Sequence, residues 1–344
     1  MKYDVICIGM AILDSMIRGF DPEPVSSGYR AISGTLNVGG DAVNESIAAS
    51  KLGLRTAILC SLGCDPAGDM IAEELKRRNV DTGLIVRSAE HPTPVTTIFV
   101  MDDGNRRSIT NEAHRYNFHP EQYRNVLTET RAVILGSLFR APFNDPDVIH
   151  SVLTAASESG ATVIADTKLP NFRRLTLEDI ADSLPLIDYL TPNEDEAKFY
   201  TGKEDPQEMA EVFLSSGVRN VIIKLGARGC YYAGTEGNIY VPAFNVDTVD
   251  ATGAGDNFIA GFASEILRGS TVKQALEFAS ACGAICSTAV GSGTALDSRE
   301  QITAFLAEFD LSDTADYDKT EDRVNQSIIQ TARRQRRRII NNHR

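Results

Sequence analysis

The stretch VDATGAGDNFIAG, residues 249–261, places three small residues between two acids and continues as an apolar run. The apolar residues recur at helical spacing, which predicts a helix beginning near Gly253 to Gly255 with Thr252 or Asp250 as its cap. The first N–H groups of a helix have no partner within it, and here no bulky side chain covers them. Because the helix dipole is positive at this end, the stretch predicts an anion site, with a plain tight turn as the alternative.

Asp256 directly follows these small residues. Its carboxylate would face whatever attacks a bound phosphate, which is the position of a general base. An acid in a first helical turn also stabilises the helix by itself, through the helix dipole. The arrangement favours the catalytic interpretation of Asp256 and leaves the structural one open.

The composition limits the class of protein. The 344 residues, 42% of them hydrophobic, suffice for one large α/β domain or a domain with a smaller appendage. The net charge is −13 and no basic face is evident in the body of the chain, so we expect no nucleic acid partner there. No apolar run approaches a membrane span and the N-terminus resembles a first strand rather than a signal peptide, so we expect a cytoplasmic protein with reduced thiols and no membrane contact.

Short apolar runs alternate with helical patterns along most of the chain. This alternation predicts an α/β fold, with right-handed βαβ units around a central, mostly parallel sheet flanked by helices. The predicted strands begin at residues 3, 55, 131, 161, 187 and 220, and the clearest predicted helices span 65–79 and 205–216.

Two segments, from about 12–40 and 83–110, lack long helices and predict a small β-sheet, with a hairpin turning at Asp102 to Asn105. Ligands of open α/β sheets bind beyond the carboxyl ends of the strands. A small sheet placed there would form a lid over the ligand.

Asn193 and Glu196 lie three residues apart at a predicted helix start, where both face the same side. They would form a capping box, or they would hold a hydrated Mg²⁺ directly or through water. Further along, Gly226 and Gly229 lie between two predicted strands. That turn belongs either to a plain hairpin or to a wall against a nucleotide.

Polar residues also follow the first predicted strand. Gly39 and Gly40 precede a predicted helix, with Asp41 and Asn44 in its first turn. These two side chains would cap the helix or bind hydroxyl groups of a polar ligand. Asp14 lies just after the first strand, where an acid is either a turn residue or part of a ligand site.

Two cations follow later predicted strands. Lys168 and Arg140 would contact a phosphate or a substrate carboxylate, or would be solvated cations. A site role is favoured for Lys168, because it follows Asp166 at the carboxyl end of a strand.

Three motifs occur in order: GGDAVNESIAASKLG (39–53), NEDE (193–196) and DATGAGDNF (250–258). With them the chain resembles the ribokinase-like carbohydrate kinases, the phosphofructokinase-B family, from residue 3 to residue 309. The resemblance implies a ribokinase-like fold and transfer of a phosphoryl group from ATP, with Mg²⁺, to a sugar hydroxyl. Residues 1–309 would be the kinase domain, paired as a homodimer through its lid.

The resemblance also implies roles for single residues. Asp256 matches the general base, and the other matches form four groups. These are an anion hole at Gly253, Ala254 and Gly255, a magnesium and phosphate group at Asn193 and Glu196, sugar contacts at Asp14, Gly40 and Asn44, and a nucleotide loop at Lys224, Gly226 and Gly229.

Two positions concern ions and contacts that vary among relatives. Several relatives bind K⁺ beside the anion hole, and here Asp250, Thr252 and the backbone of residues 287–295 would form the cage, with Ala295 in place of a common serine. Many relatives have lysine or serine where this chain has Asp41, so the sugar contacts would differ.

The acceptor is expected to be an unphosphorylated sugar or sugar acid of the ribose, fructose or 2-keto-3-deoxygluconate type. Carboxylates such as Asp14 and Asp41 suit hydroxyl groups, and Lys168 and Arg140 would pair with the carboxylate of a sugar acid. A nucleoside kinase and a noncatalytic sugar-binding sensor are the alternatives.

Residues 310–344 lie outside the resemblance. They form an acidic stretch followed by a run with five arginines between Arg333 and Arg338, spaced in part as a helical stripe. We expect this tail to dock on the acidic protein or on a second subunit, with binding to nucleic acid or an acidic partner as the alternative.

Overall fold

The computed structural model describes residues 1–19, 30–101, 105–111, 119–170 and 173–309. The chain divides into two compact units, Met1–Ile302 and Thr303–Arg344. In the second unit only residues 303–309 are described, where the rings of Phe305 and Phe309 pack with centroids 4.6 Å apart. The predicted tail, 310–344, lies outside the described residues.

The described residues form strands and helices in alternation. In chain order the strands are β1 (Tyr3–Ile8), β2 (Ile12–Arg18), β3 (Ser33–Gly39), β4 (Thr56–Leu59), β5 (Ser61–Gly63), β6 (Val86–Ser88), β7 (Val95–Val100), β8 (Arg106–Thr110), β9 (Thr130–Leu138), β10 (Thr162–Thr167), β11 (Tyr189–Leu190), β12 (Val221–Lys224), β13 (Cys230–Gly234) and β14 (Gly237–Val241). The helices are α1 (Asp41–Lys51), α2 (Pro66–Arg77), α3 (Pro146–Glu158), α4 (Glu194–Thr201), α5 (Pro206–Ser215), α6 (Ala254–Ile266), α7 (Val272–Ser287) and α8 (Arg299–Glu308).

The larger sheet has eight strands in the order β14-β13-β12-β11-β10-β9-β1-β4. The pairs from β12 to β4 are parallel, and β13 and β14 add an antiparallel edge. This arrangement confirms the predicted mostly parallel sheet flanked by helices. The strand predicted to begin at residue 55 is divided: β4 stays in the large sheet, whereas β5 pairs with β6 in a separate two-stranded sheet.

A second sheet has the order β3-β2-β7-β8 and is built from the two segments that predicted it. β2 runs parallel to β7, and the outer strands pair antiparallel. The Met101 amide donates to the Asn105 carbonyl at 2.9 Å, as the predicted hairpin requires. The turn residues 102–104 lie outside the described residues, and the role of this sheet as a lid stays a prediction.

The strands of the large sheet are apolar in sequence because they lie in the hydrophobic core. Five of the six residues of β1 are buried, because helices cover both faces of a parallel sheet. Burial of each large aliphatic side chain contributes about 1.5–3 kcal/mol relative to exposure. All six cysteines, which lie in described segments, are free thiols, and each is buried except Cys64. None of the helices in the described residues is long and apolar enough to span a membrane.

Candidate active site at the start of α6

The start of α6 is left open by its sequence. Its N-cap is Gly253, in the left-handed region at φ 79°, and no described side chain caps it. A β carbon on Gly253 would lie 2.3 Å from the Ser292 β carbon, so only glycine fits. The predicted cap at Thr252 or Asp250 is wrong, because the Asp250 carboxylate instead accepts hydrogen bonds from the Thr252 amide (3.0 Å) and hydroxyl (2.7 Å). The Ala254 amide donates to the Ala251 carbonyl at 3.2 Å, so the other amides at this helix start are the candidate donors for an anion.

Asp256 lies in the first turn of α6 and is 9% exposed. The Asn44 side-chain amide donates to Asp256 Oδ2 at 2.7 Å, and the Ser292 hydroxyl donates to Asn44 Oδ1 at 2.7 Å. This chain of hydrogen bonds joins α1, α6 and the loop after α7. It holds the carboxylate in one orientation beside the open helix start.

The surroundings of Asp256 raise its pKa. Burial is the main cause, and the charges of Asp41 and Asp166 add to it. The Lys168 ammonium and the hydrogen bond from Asn44 act in the opposite direction. A carboxylate with a raised pKa is a stronger base than an exposed one, which suits proton abstraction.

Asp166, at the end of β10, binds two lysines. Its Oδ2 atom lies 2.9 Å from Lys168 Nζ, and its Oδ1 atom lies 2.6 Å from Lys224 Nζ. Burial favours a higher pKa for Asp166, but the two ammonium groups lower it below its usual range. A β carbon on Gly255 would lie 3.4 Å from Lys224 Nζ, so this ammonium is adjacent to the open start of α6.

Asn193 and Glu196 form the predicted capping box at the start of α4. Asn193 Oδ1 accepts from the Glu196 amide and Glu196 Oε2 accepts from the Asn193 amide, both at 2.9 Å. The Thr167 hydroxyl also donates to Glu196 Oε2, at 2.9 Å. Burial and the charge of Asp166 raise the pKa of Glu196. The capping-box interpretation is confirmed. Metal binding stays a prediction, and Glu196 Oε1, which takes no part in the box, is the oxygen that would bind the ion.

The predicted nucleotide loop joins β12 to β13. Gly226 begins a short 3-10 turn that ends at Arg228, and Gly229 follows at φ 100°. A β carbon on Gly229 would lie 2.0 Å from the Val241 carbonyl oxygen, which explains the glycine. The segment is thus an antiparallel hairpin, and its contact with a nucleotide stays a prediction.

The start of α1 also lies behind a glycine N-cap. Gly40 is its N-cap at φ 97°, where a β carbon would lie 2.4 Å from the Met10 carbonyl oxygen. The N-cap Gly40 supplies no side-chain cap, but the Asp41 carboxylate accepts from the first-turn amide of Ala42, so the capping alternative holds for Asp41. It does not hold for Asn44, whose side chain bonds Asp256 and Ser292 instead. Asp41 Oδ1 accepts from the Met10 amide (2.9 Å) and from the Ala42 amide (2.7 Å). The Ser137 hydroxyl donates to its other oxygen, so Asp41 joins the ends of β1 and β9 to α1.

Asp14 lies on β2, opposite Asn37 and Thr96 of the neighbouring strands. A β carbon on Gly39 would lie 2.4 Å from Asp14 Oδ2, so glycine at this position makes room for the carboxylate. Burial raises the pKa of Asp14 to about 6.

Arg140 and Lys168 are connected through the loop after β10. The Arg140 guanidinium donates to the Leu169 carbonyl from Nε (3.2 Å) and from Nη2 (2.8 Å). Burial lowers the pKa of Lys168, but the carboxylates of Asp166 and its neighbours offset this and raise it well above its usual range. Lys168 therefore stays cationic at the carboxyl end of β10, and Arg140 follows the end of the neighbouring strand β9.

Asp250 and Thr252, proposed ligands of K⁺, lie in the turn before α6. Asp250 Oδ2 also accepts from the Gly291 amide at 3.2 Å, which connects this turn to residues 287–295. These segments are brought together as a K⁺ cage requires, and ion binding itself stays a prediction.

Comparison with known proteins identifies the family. Residues 3–299 match the model of the pfkB family carbohydrate kinases. The chain belongs to this family. It is therefore a carbohydrate kinase with a ribokinase-like fold, as the three motifs predicted.

Individual relatives agree with this assignment. The chain is similar to the ribokinase of Staphylococcus aureus, 29% identical over 66% of this chain and 74% of the relative. It is similar to the 2-dehydro-3-deoxygluconokinase of Bacillus subtilis, 28% identical over 89% of this chain and 96% of the relative. In fold it is similar to Arabidopsis thaliana ribokinase complexed with ribose and ATP, with a TM-score of 0.79 and 24% identity over 89% of this chain and 99% of that chain.

Sequence reasoning missed several residues of the site. It did not assign Asp166 beyond its place before Lys168, although an acid at the carboxyl end of a parallel strand is a recognisable signal. It also missed Ser292, which holds Asn44, and Glu45, which is fully buried. The one local signal for Glu45 is its spacing of four from Asp41, which places both acids on the same face of α1.

Proposed function

We propose that this kinase transfers the γ-phosphoryl group of ATP to a hydroxyl of an unphosphorylated sugar or sugar acid, with Asp256 as the general base. One observation carries the proposal: the Asp256 carboxylate, held by Asn44 at 2.7 Å, directly follows an uncapped helix start with a lysine ammonium beside it. The donors for an anion and the acceptor for a proton are thus side by side.

The geometry supports an in-line transfer. The amides of Gly253 and Gly255 and the Lys224 ammonium would stabilise the charge that develops on the transferred group. The Ala254 amide would have to give up its bond to the Ala251 carbonyl to join them. Asp256 accepts the proton of the acceptor hydroxyl while the hydroxyl oxygen forms the new bond to phosphorus. The bond between phosphorus and the leaving oxygen of ADP breaks in the same step. Closure of the small sheet would exclude water as a competing acceptor.

Glu196 and Asn193 would hold the Mg²⁺ that accompanies ATP. The box fastens Glu196 through Oε2, which leaves Oε1 to bind the ion directly or through water. Bound Mg²⁺ neutralises charge on the phosphate oxygens. A K⁺ ion would bind beside the anion hole at Asp250 and Thr252.

We infer the acceptor class from the polar and charged residues near the strand ends. Asp14 and Asn44 supply acceptors and a donor for sugar hydroxyl groups. Lys168 and Arg140 favour an acceptor that carries a carboxylate, because an ammonium and a guanidinium group at the strand ends pair well with one. The relatives named ribokinase and 2-dehydro-3-deoxygluconokinase act on a sugar and a sugar acid, which agrees with this range.

A coupled assay of ADP release tests the proposal. Free sugars, sugar acids, sugar phosphates and nucleosides are screened with ATP and Mg²⁺, with and without K⁺. We expect acceptor-dependent ADP release with a free sugar or a sugar acid. Preference for a sugar phosphate or a nucleoside contradicts the acceptor class and leaves the kinase mechanism intact, whereas no acceptor-dependent release favours a noncatalytic sensor.

The small sheet would also form the dimer contact. Leu36, Ser15, Thr97 and Ile109 are paired directly across β3, β2, β7 and β8, so they share one face. Leu36 is 55% and Ile109 is 67% exposed on that face. Apolar side chains exposed on a sheet often mark a protein interface. A sedimentation measurement of the molecular mass, compared with Leu36→Asp, tests this dimer.

A further inference from the structure

Glu45 is a buried acid that the proposed mechanism does not use. It lies on α1 with 0% of its surface exposed. Neither of its carboxylate oxygens has a hydrogen-bond partner among the described residues. A charged carboxylate without partners is strongly disfavoured inside a protein, so its environment requires a positive charge or a proton.

Two further carboxylates face Glu45. One oxygen each from Glu45, Asp166 and Asp256 lie within 4.8 Å of one another, and all three residues are buried. Oxygen ligands of one ion lie about 2.0–2.6 Å from it, so a pair on opposite sides is about 4–5 Å apart. The three oxygens are therefore close enough to share one cation with little movement.

Two nearby lysines do not balance the negative charge of the buried carboxylates in this region. Lys168 and Lys224 both pair with Asp166, at 2.9 Å and 2.6 Å. Their two positive charges stand against five buried carboxylates, which leaves three uncompensated negative charges when all are ionised. These carboxylates belong to Asp41, Glu45, Asp166, Glu196 and Asp256.

The same crowding acts on Glu45 itself. Burial, together with the charges of Asp41, Asp256 and Asp166, raises the pKa of Glu45 well above its usual range. A bound cation removes this penalty, because it stabilises the ionised form of each carboxylate that contacts it.

We propose that Glu45, Asp166 and Asp256 bind a divalent cation of the Mg²⁺ or Mn²⁺ class in the absence of nucleotide. Three carboxylate oxygens are the donor set that such hard cations prefer. This site is separate from the Mg²⁺ site proposed at Asn193 and Glu196, which lie at the start of α4. The ion holds the carboxylate of Asp256 against the end of β10 and offsets the charge of the cluster.

Titration with Mn²⁺, followed by electron paramagnetic resonance, tests the site on the full-length, chelator-treated enzyme without nucleotide. We expect one bound Mn²⁺ per chain, and at least about tenfold weaker binding in Glu45→Gln, which removes one of the three charged ligands. Glu265→Gln is the matched control, because Glu265 is also buried on a helix but pairs with Arg299 and Ser270. It should bind Mn²⁺ as the wild type does.

Thermal unfolding of the wild type gives a second measurement that requires no variant to fold. Mn²⁺ should raise the melting temperature of the nucleotide-free wild type, because a ligand that binds only the folded state stabilises it. No Mn²⁺ binding and no thermal shift without nucleotide would overturn the proposal. The negative charge of the buried carboxylates would then be neutralised by bound protons.

Glu196→Gln separates the two metal sites. If this variant loses nucleotide-free Mn²⁺ while Glu45→Gln keeps it, the ion binds at α4 and the inference is wrong, although the proposed kinase function stands. The opposite outcome is also possible to recognise: Mn²⁺ binding depends on Glu45, but no acceptor causes ADP release. That result would support the inference and contradict the proposed function.

Discussion

Two helices, α4 and α6, begin near the carboxyl ends of the parallel strands and carry an acid at the same third position. In α4 this acid is Glu196, which folds back on the amide of the N-cap Asn193 and closes the helix start. In α6 it is Asp256, which turns away to Asn44 and leaves the start open behind the glycine N-cap. The same residue class at the same position thus serves stability in one helix and a ligand in the other.

Other helices of the protein show that a side-chain cap at the helix start is common. The starts of α2, α3, α5 and α7 each have a side-chain cap, as α4 has. By contrast, α1 and α6 begin behind an N-cap glycine with positive φ, which supplies no side-chain cap. These two glycine-capped starts are joined by the Asn44–Asp256 hydrogen bond. Helix starts behind a positive-φ glycine therefore identify the candidate site better than acidic residues do.

The largest effect is expected from Asp256→Asn, which removes the base at the open start. We expect kcat to fall by about 10²–10⁴-fold, the usual contribution of a general base, while ATP binding survives. Steady-state kinetics and ATP titration measure the two quantities. Near-normal turnover would remove the functional contrast between Asp256 and Glu196.

The next largest effect is expected from Gly255→Val, which places a branched side chain where phosphate would approach the amides. Loss of one or two charge-assisted hydrogen bonds, at about 1.5–3 kcal/mol each, predicts a loss of at least about tenfold in kcat/KM for ATP. Circular dichroism checks the fold. A folded variant with unchanged ATP kinetics would mean that phosphate binds elsewhere.

A smaller effect is expected from Glu196→Gln at the closed start. The amide oxygen of glutamine still accepts the hydrogen bond of the box, so stability should change by less than about 1 kcal/mol. The Mg²⁺ concentration needed for half-maximal activity should rise several-fold, because a charged ligand is lost.

The box of Thr271 and Gln274 at the start of α7 supplies the control for that change. Thr271→Ala should lower the melting temperature and leave the Mg²⁺ requirement unchanged. An unchanged Mg²⁺ titration in Glu196→Gln as well would make the start of α4 purely structural.

The smallest effect is expected at Asp14, beside Gly39 at the start of α1. Because burial raises its pKa to about 6, Asp14 is largely protonated below that pH and ionised above it. If the carboxylate accepts from a sugar hydroxyl, KM for the sugar should fall as pH rises through 6, by less than about tenfold. This step should be absent in Asp14→Asn. A step of equal size in KM for ATP would contradict the assignment of α1 to the sugar and α6 to the phosphate.

Local patterns made much of the fold predictable. Alternating apolar runs indicated the parallel sheet, and the segments without helices indicated the second sheet, because periodicity is a property of neighbouring residues. The cap of α6 was mispredicted, since Gly253 is required by its contact with Ser292, which is distant in the sequence. The strand beginning at residue 55 was also read as continuous, because nothing in its apolar run marks the change of sheet between β4 and β5.

The sequence by itself determined the chemical groups of this protein: the glycine-rich start of α6, the acid that follows it and the motifs that place the chain among the pfkB carbohydrate kinases. Only the tertiary structure decided which groups meet. Asn44 reaches Asp256 across 212 positions, and Lys224 reaches Asp166 across 58. It also decided that Glu45 is buried without a hydrogen-bond partner in the described part of the chain. The physical reason is that burial and electrostatic coupling depend on distance in space, which the packing of α1 and α6 against the strand ends sets and which no local pattern contains.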